Sequence, residues 1–351
     1  MKFLKACVCA VFMTVWISPK VAFAACYSDG FSTRLSNFCA LDKMQGARVD
    51  TRTLKLVDFK LKQEGFKGGL GLRSRVKPHS TFKSLYPILS YSDNINGGNS
   101  PEPLVIGGLT FDGDEALFRK EGVMAGFGAG FGGRYVHATG KYLAYGANAS
   151  YAHSSKHGLG VTTISTNVSS INYINDGWFL DAHVNTSRVR NDITDETSSN
   201  ISFVSAKVYE SGHDRYSEAT LGMNRYFAES YNQNQVLLGY KTIHGNGVFS
   251  ALNLTFGEQV ENQLATKFAM SGQFTTQVGG KPLKLSTSYS QADGGMLLGV
   301  ARDEASVAIS VSYPVWKRLR VYAGYRSTDS TIDYFDVGTP IFGLQFPAVQ
   351  F

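Results

Sequence analysis

The residues with the clearest chemical potential are a histidine and a serine two positions apart, His153 and Ser155. On a strand the two side chains share a face, because side chains alternate with a period of two. A histidine base beside a serine hydroxyl can activate it toward an acyl ester. The pair also sits where a predicted strand meets a loop rich in Ser, Lys and His, and a polar rim is the simpler interpretation. Catalysis therefore stays an alternative, and the chain is not expected to be an enzyme.

A second set of candidate residues is charged and alternates with apolar neighbours along predicted strands. If the apolar residues face lipid, these side chains line a central lumen: Lys207, Lys241, Lys267, Lys284, Arg320 and Arg326, with the acids Asp181 and Glu218. A ring of fixed positive charge favours anions. The alternative is that the charges pair with one another across the lumen.

Two further motifs are weaker candidates for a functional site. The glycines of 126–132 resemble a phosphate loop but alternate with larger residues, as in a strand, and no helix follows them. They predict a lumen face that an inward loop or the N-terminal segment can approach closely. The acids of 112–115 could bind calcium, but a solvated loop is the simpler interpretation. We predict neither a metal nor a cofactor.

The elements that position these residues are strands, because alternation with a period of two recurs in segments of about ten residues. Residues 281–290, 303–313 and 319–327 show it most clearly. Short turns, such as Gly279-Gly280, alternate with longer predicted loops, such as 189–199 and 291–302. Short periplasmic turns and longer external loops are typical of an antiparallel transmembrane β-barrel, which makes the chain all-β. Trp178 and Trp316 sit at short turns, as a periplasmic aromatic girdle requires.

Counting strands from Pro103 predicts fourteen, and residues 66–76 and 83–91 could raise the number to sixteen. Residues 103–351 form the predicted barrel, and residues 25–102 a short periplasmic N-terminal extension or partial plug. That extension holds 12 Lys/Arg against 7 Asp/Glu, so it carries most of the formal net charge of +6. The excess is too small for a nucleic-acid partner.

The ends of the chain predict export. Residues 1–24 have the basic start, apolar core and Ala22-Phe23-Ala24 site of a cleaved signal peptide. Cys26 and Cys39 then remain, and in an oxidising compartment they predict one disulfide. The chain closes on Phe351, which resembles the terminal signal read by the outer-membrane assembly machinery. We expect the cell outer membrane, with outer-membrane lipid and lipopolysaccharide as surroundings.

Two resemblances extend these expectations. Residues 90–97, Ser-Tyr-Ser-Asp-Asn-Ile-Asn-Gly, resemble the opening of the barrel in surface lipoprotein assembly modifiers. That likeness implies fourteen strands and a role in delivering lipoprotein clients to the cell surface. The His153/Ser155 pair is similar to that of outer-membrane phospholipase A and lipid A deacylase, and implies a lipid-facing esterase. The leading hypothesis is a pore or transport component with a basic-leaning lumen, which would pass a small anionic solute.

Overall fold

The chain was analysed as a computed structural model, which describes residues 26, 32–45, 51–66, 79–98, 100, 102–106, 108–212, 214–245, 247–316 and 319–350. The predicted signal peptide and Phe351 lie outside these residues.

The main body is one antiparallel sheet in which each strand pairs with its neighbours in the chain. Fourteen strands span it, β1 and β4–β16, as the sequence predicts. A two-stranded hairpin, β2–β3, lies in the first loop, and a short β17 follows β16. The strands are β1 His79–Ser92, β2 Leu104–Ile106, β3 Leu109–Phe111, β4 Gly122–Ala138, β5 Lys141–Ser154, β6 Leu159–Tyr173, β7 Trp178–Arg190, β8 Asp195–Gly212, β9 Arg215–Phe227, β10 Asn232–Ile243, β11 Phe249–Gly257, β12 Ala265–Val278, β13 Lys281–Leu297, β14 Val300–Trp316, β15 Leu319–Ser330, β16 Val337–Gln345 and β17 Val349–Gln350.

The sheet closes because the last strand returns to the first. β16 pairs with β1 through Leu89 and Leu344, and β17 continues that pairing through Leu85 and Val349. The interruption between β16 and β17 contains Pro347, which has no N–H to give to a ladder. Closure pairs both edges of the sheet, so no edge is left open.

Two helices precede the barrel, α1 (Thr33–Gln45) and α2 (Thr51–Gln63). Val57 and Leu61 are four positions apart on one face of α2 and are both buried. Lys60 and Lys62 lie in its last turn, where cations favour the negative end of the helix dipole. No helix among the described residues is long and apolar enough to cross a bilayer.

The helices identify the inner face of the barrel. Arg134 of β4 donates to the carbonyl oxygen of Gln63, while Phe249 of β11 belongs to the same buried cluster as Leu35 of α1. A segment this short can contact strands from β4 to β11 only from the concave side. The side chains that face it therefore line the lumen, and their strand neighbours face outward.

The barrel begins earlier than the sequence predicted, at His79 and not at Pro103. Residues 104–111 form the hairpin β2–β3, whose strands are far shorter than the roughly ten residues that span a bilayer. β1 contains residues 83–91, which the sequence offered only as an additional strand, because it is apolar on both faces: Tyr86 and Ile88 face inward, while Leu85 and Leu89 face outward. Alternation in hydropathy is weak in such a strand.

The loops also differ from the prediction. Apart from the long loop 93–121, the connections at the end opposite the helices (the loop end) have two to seven residues. Those at the end that holds the helices (the short-turn end) have two to five, so the difference is smaller than predicted. The predicted loop 291–302 is wrong, because β13 and β14 continue to a tight turn at Leu298 and Gly299. Both residues have positive φ there.

The glycines of β4 make room for side chains of the neighbouring strand. A Cβ on Gly128 would lie 2.2 Å from the Tyr86 ring, and a Cβ on Gly132 would lie 2.6 Å from Phe82. The Tyr86 hydroxyl crosses the glycine face to bond Asn148 of β5 at 2.9 Å. The open face predicted at 126–132 thus accommodates aromatic residues of β1. This packing also fixes the register between β1 and β4.

Replacing Gly128 by valine should destabilise the barrel by about 2 kcal/mol, because the added side chain meets the Tyr86 ring. The free energy of unfolding in urea measures this effect. Adding Tyr86→Ala should recover most of the loss by vacating the space. A double variant no more stable than Gly128→Val alone would contradict this packing.

Candidate functional site

The candidate site is the lumen, and its first part is the contact between α1 and the wall at the short-turn end. Leu35 and Ala40 of α1 are buried in one cluster with Ala206 and Val208 of β8. The predicted Cys26–Cys39 disulfide is formed within that cluster. The Phe38 ring meets Tyr216 edge-on, with centroids 6.1 Å apart. The α1 helix thus packs on the lumen wall as on a small hydrophobic core.

A buried charge cluster fixes this contact. The Arg34 guanidinium donates to the Asp181 carboxylate at 2.7 Å and to the Glu218 carboxylate at 3.2 Å. Glu218 also accepts from the Ser32 hydroxyl and from Lys241 Nζ, the latter at 3.2 Å. Asp181 and Glu218 have almost no solvent exposure, 1% and 0%. Buried carboxylates need such partners, because removing a charge from water is costly.

A second buried carboxyl lies just after α2. Glu64 accepts a hydrogen bond from Asn37 at 2.9 Å, while its other oxygen has no hydrogen-bond partner. Burial raises the pKa of Glu64, and the Asn37 bond together with the charges of Arg134, Arg34 and Lys60 opposes that rise. The proton affinity of this carboxyl therefore depends on how the helices sit against β4.

The second part of the site is the wall opposite the helices, formed by β11–β16. A cavity of about 340 Å³ reaches from Lys241 across to Ile341 of β16. A neighbouring cavity of about 430 Å³ is lined by Lys284, Arg320, Tyr322, Gln345 and three serines, Ser286, Ser310 and Ser312. Hydroxyl and amide side chains make up seven of the thirteen residues of the first lining and five of the seven of the second.

The charge on this wall is uneven. Lys284, Arg320 and Arg326 face inward on β13 and β15, as predicted from alternation. Arg320 and Arg326 are six residues apart on one strand, or about 20 Å. Among the described inward residues of β11–β16, the acid is Glu304, which pairs with Arg302 at 2.5 Å toward the loop end.

One of the predicted lumen cations lies on the outer face, and another lies at a strand irregularity. Lys207 is opposite Trp178 on the outer face, with its Nζ 5.2 Å from the ring centroid. The rule that apolar residues face outward is wrong on this stretch, because Ala206 and Val208 turn inward to pack on α1. Lys267 lies at a bulge in β12 and pairs with Asp293 at 2.7 Å.

The His153/Ser155 pair lacks the predicted geometry. His153 ends the outward row of β5 and stacks beside Tyr151, with centroids 6.5 Å apart. β5 ends at Ser154, and Ser155 belongs to the following turn. The expectation that strand alternation places both on one face is therefore wrong.

The Ser90–Gly97 motif ends β1 and folds the long loop. Asn94 Nδ2 donates to the carbonyl oxygen of Gly98, and Asn96 Nδ2 donates to that of Phe118, both at 2.8 Å. Asn96 Oδ1 accepts from the Lys120 amide at 2.9 Å. The loop then reaches across to the β7–β8 turn, where the Ile193 amide bonds the Asn96 carbonyl. The motif thus has a structural role at the loop end.

Sequence reasoning missed Arg34, the residue that joins the helices to the wall. The signals were present separately: a basic N-terminal segment, and two inward acids at Asp181 and Glu218. Complementary charge could have connected them. Asp114, from the acidic run considered for calcium, accepts from the Ala116 amide and caps a short 3₁₀ turn. Across the part of the chain that the structure describes, no group of three His, Cys, Asp or Glu residues could hold a metal ion.

Comparisons with solved structures return outer-membrane barrels. OccK10 (OpdN) of Pseudomonas aeruginosa is 10% identical, with a TM-score of 0.42 over 77% of this chain and 99% of that chain. OprD of the same species is 6% identical, with a TM-score of 0.40 over 80% and 96%. OccAB2 of Acinetobacter baumannii is 10% identical, with a TM-score of 0.40 over 78% and 98%. No family model and no curated protein matches. These values are too low to carry functional inference, and the architecture stands on the strand pairing.

Replacing Arg34 by alanine should weaken docking of α1 by about 3 kcal/mol, because Asp181 and Glu218 would stay buried without their partner. Hydrogen exchange of the α1 backbone amides should accelerate about 100-fold. Arg188→Ala is the matched control, since Arg188 pairs with Asp195 on the exposed outer face. It should leave α1 unchanged. Equal effects of both variants would contradict the role of Arg34.

Docking of the helices should also depend on pH through Glu64. Its pKa is raised in the docked state above the ordinary value of 4.5, so the docked state binds more protons. Docking should strengthen as pH falls through the raised pKa and weaken as pH rises above 4.5 through that window. Exchange of the α2 amides from pH 5 to 8 measures this. Glu64→Gln should flatten the profile, and an unchanged profile would contradict the assignment.

Proposed function

We propose that the chain is an outer-membrane pore for small anionic solutes, narrowed at its periplasmic end by α1 and α2. The observation that carries this proposal is the division of the lumen into two sides. One side is covered by the helices, and the other is a hydroxyl-lined wall with inward Lys284, Arg320 and Arg326.

The outer surface supports a membrane location. Large apolar side chains face outward and are exposed, among them Phe127, Phe203, Leu221 and Met223. A contiguous apolar exterior on a closed barrel fits a bilayer and is unfavourable in water. Trp178 and Trp316 are also exposed on the outer face at the short-turn end. That end is then periplasmic, and the loop 93–121 is external.

The arrangement of charge supports anion preference. Two acids of the lumen wall, Asp181 and Glu218, are paired with Arg34 and Lys241. Their negative charge is therefore compensated, while the opposite wall carries inward cations. A low-dielectric wall focuses this field into the lumen and raises the local anion concentration. Cavities of about 340 and 430 Å³ along this wall give room for a small solute.

Two other roles have weaker support. A role in lipoprotein export rests on residues 90–97, whose asparagines serve the fold of the external loop. It would require a lipoprotein client that copurifies with the barrel. Lipid hydrolysis rests on His153 and Ser155, which do not share a strand face. It would require activity that His153→Ala abolishes.

Reversing the charge of the wall opposite the helices tests the proposed pore. In planar bilayers under a KCl gradient, the double variant Lys284→Glu and Arg326→Glu should shift the reversal potential toward cation preference. The reason is that both side chains face the lumen.

Lys207→Glu and Lys281→Glu together form the matched control. They make the same change of charge on the outer face, beside Trp178 and Tyr313. The control should keep the reversal potential of the original chain. A lumen variant with unchanged ion preference would overturn the anion assignment, and a chain that never conducts would overturn the pore.

A further inference from the structure

The outer wall carries an unusual group of hydroxyls at the short-turn end. We define the outer hydroxyl patch as Tyr209, Ser211, Ser217, Tyr240 and Thr242. Ser217 lies between Tyr216 and Glu218, both of which face the lumen, so its own side chain points outward. The same reasoning applies to Tyr240 and Thr242, which flank the inward Lys241.

The patch is a connected network centred on Ser217. Its Oγ lies 2.7 Å from Ser211 Oγ, 2.9 Å from the Tyr240 hydroxyl and 3.1 Å from Thr242 Oγ1. Tyr209 lies opposite Ser217 in the pairing of β8 and β9. Ser217 and Thr242 are buried at 0% and 2% exposure although they face outward.

Hydrocarbon does not explain such a group. Hydroxyls that face acyl chains lose their hydrogen bonds to water, and an apolar residue would serve better there. A position at the depth of the lipid headgroups does explain these hydroxyls. β8 and β9 meet at the turn just beyond Ser211, and Lys207 is paired with Trp178 of the aromatic girdle. At that depth the exposed hydroxyl of Tyr240, which is bonded to the buried Ser217, can donate to a phosphate oxygen.

Two cations flank the patch. Lys207 of β8 and Tyr240 of β10 lie at the same level on either side of β9, because both pair with Ala219. Arg215 lies beside Ser211, whose hydroxyl contacts the Arg215 carbonyl oxygen. From Lys207 to Ser211 is about 13 Å along the strand. Among the described residues, no carboxylate forms an ion pair with Lys207 or Arg215.

We propose that the outer hydroxyl patch, with Lys207 and Arg215, binds the phosphate headgroup of a phospholipid in the periplasmic leaflet. The Lys207 ammonium is held over the Trp178 ring and bonds the carbonyl oxygen of Asp176, which positions it beside the patch. The cations supply attraction to an anionic lipid, and the hydroxyls supply short-range bonds to the phosphodiester. This inference rests on the membrane location proposed above and not on solute transport.

Native mass spectrometry of the detergent-solubilised full chain tests the site. Phosphatidylglycerol should be retained more strongly than phosphatidylcholine. The double variant Lys207→Gln and Arg215→Gln should weaken phosphatidylglycerol affinity about 30-fold, or about fivefold for each cation. Ser217→Val keeps the charge and removes the central hydroxyl, and it should weaken affinity about fivefold.

The double variant Lys284→Gln and Arg326→Gln is the matched control, because it removes the same charges from the lumen. It should retain the lipid as the original chain does. Equal losses in the lumen and outer-wall variants, or full retention in the outer-wall variant and Ser217→Val, would overturn the site. Displacement of the lipid by equimolar inorganic phosphate would identify a site for free anions and overturn the phospholipid assignment. Conductance of the original chain, measured separately, distinguishes failure of this site from failure of the pore.

Discussion

Closure of the hydrogen-bond ladder between the first and last strands is the constraint on which the other features depend. β1 must meet β16 and β17 in register, and it must also pair along its whole length with β4. Once the ladder is closed, each strand has one face to the lumen and one to the outside. The inward position of Glu218 and the outward position of Ser217 follow from that single condition.

Within the closed wall, the helices divide the lumen electrostatically. Arg34 brings positive charge to the two buried acids, Asp181 and Glu218, and Lys241 adds to it from the wall. The wall is apolar where α1 packs on it, at Ala206, Val208 and Phe249. Opposite the helices it is rich in serine and carries its own cations. The two halves thus differ because one of them serves as the core of the helical segment.

That difference explains what the sequence could and could not predict. The strand count, the antiparallel barrel, the disulfide and the inward positions of Lys284 and Arg326 were predictable, because alternation is regular wherever one face meets water. Lys207 was misplaced where the helices make the inner face apolar. β1 was left as an additional strand at 83–91 for a similar reason, since Tyr86 fills the space above Gly128 from the lumen side.

The candidate site was harder to predict than the fold, because its main contact joins residues far apart in the chain. Arg34 and Glu218 are brought together only when the helices enter the barrel. A local sequence pattern shows each charged residue, but it does not show which distant residue that charge pairs with. The outer hydroxyl patch shows the same limit, since its members come from three strands and share no spacing in the sequence.

The most direct test of the central claim is the single-channel conductance of the full chain in planar bilayers, measured with its reversal potential in a KCl gradient. If solutes pass between the helices and the wall that carries Lys284 and Arg326, the conductance should be small and the reversal potential should lie toward that of chloride. A closed barrel that never conducts, or a channel that prefers potassium, would contradict the account.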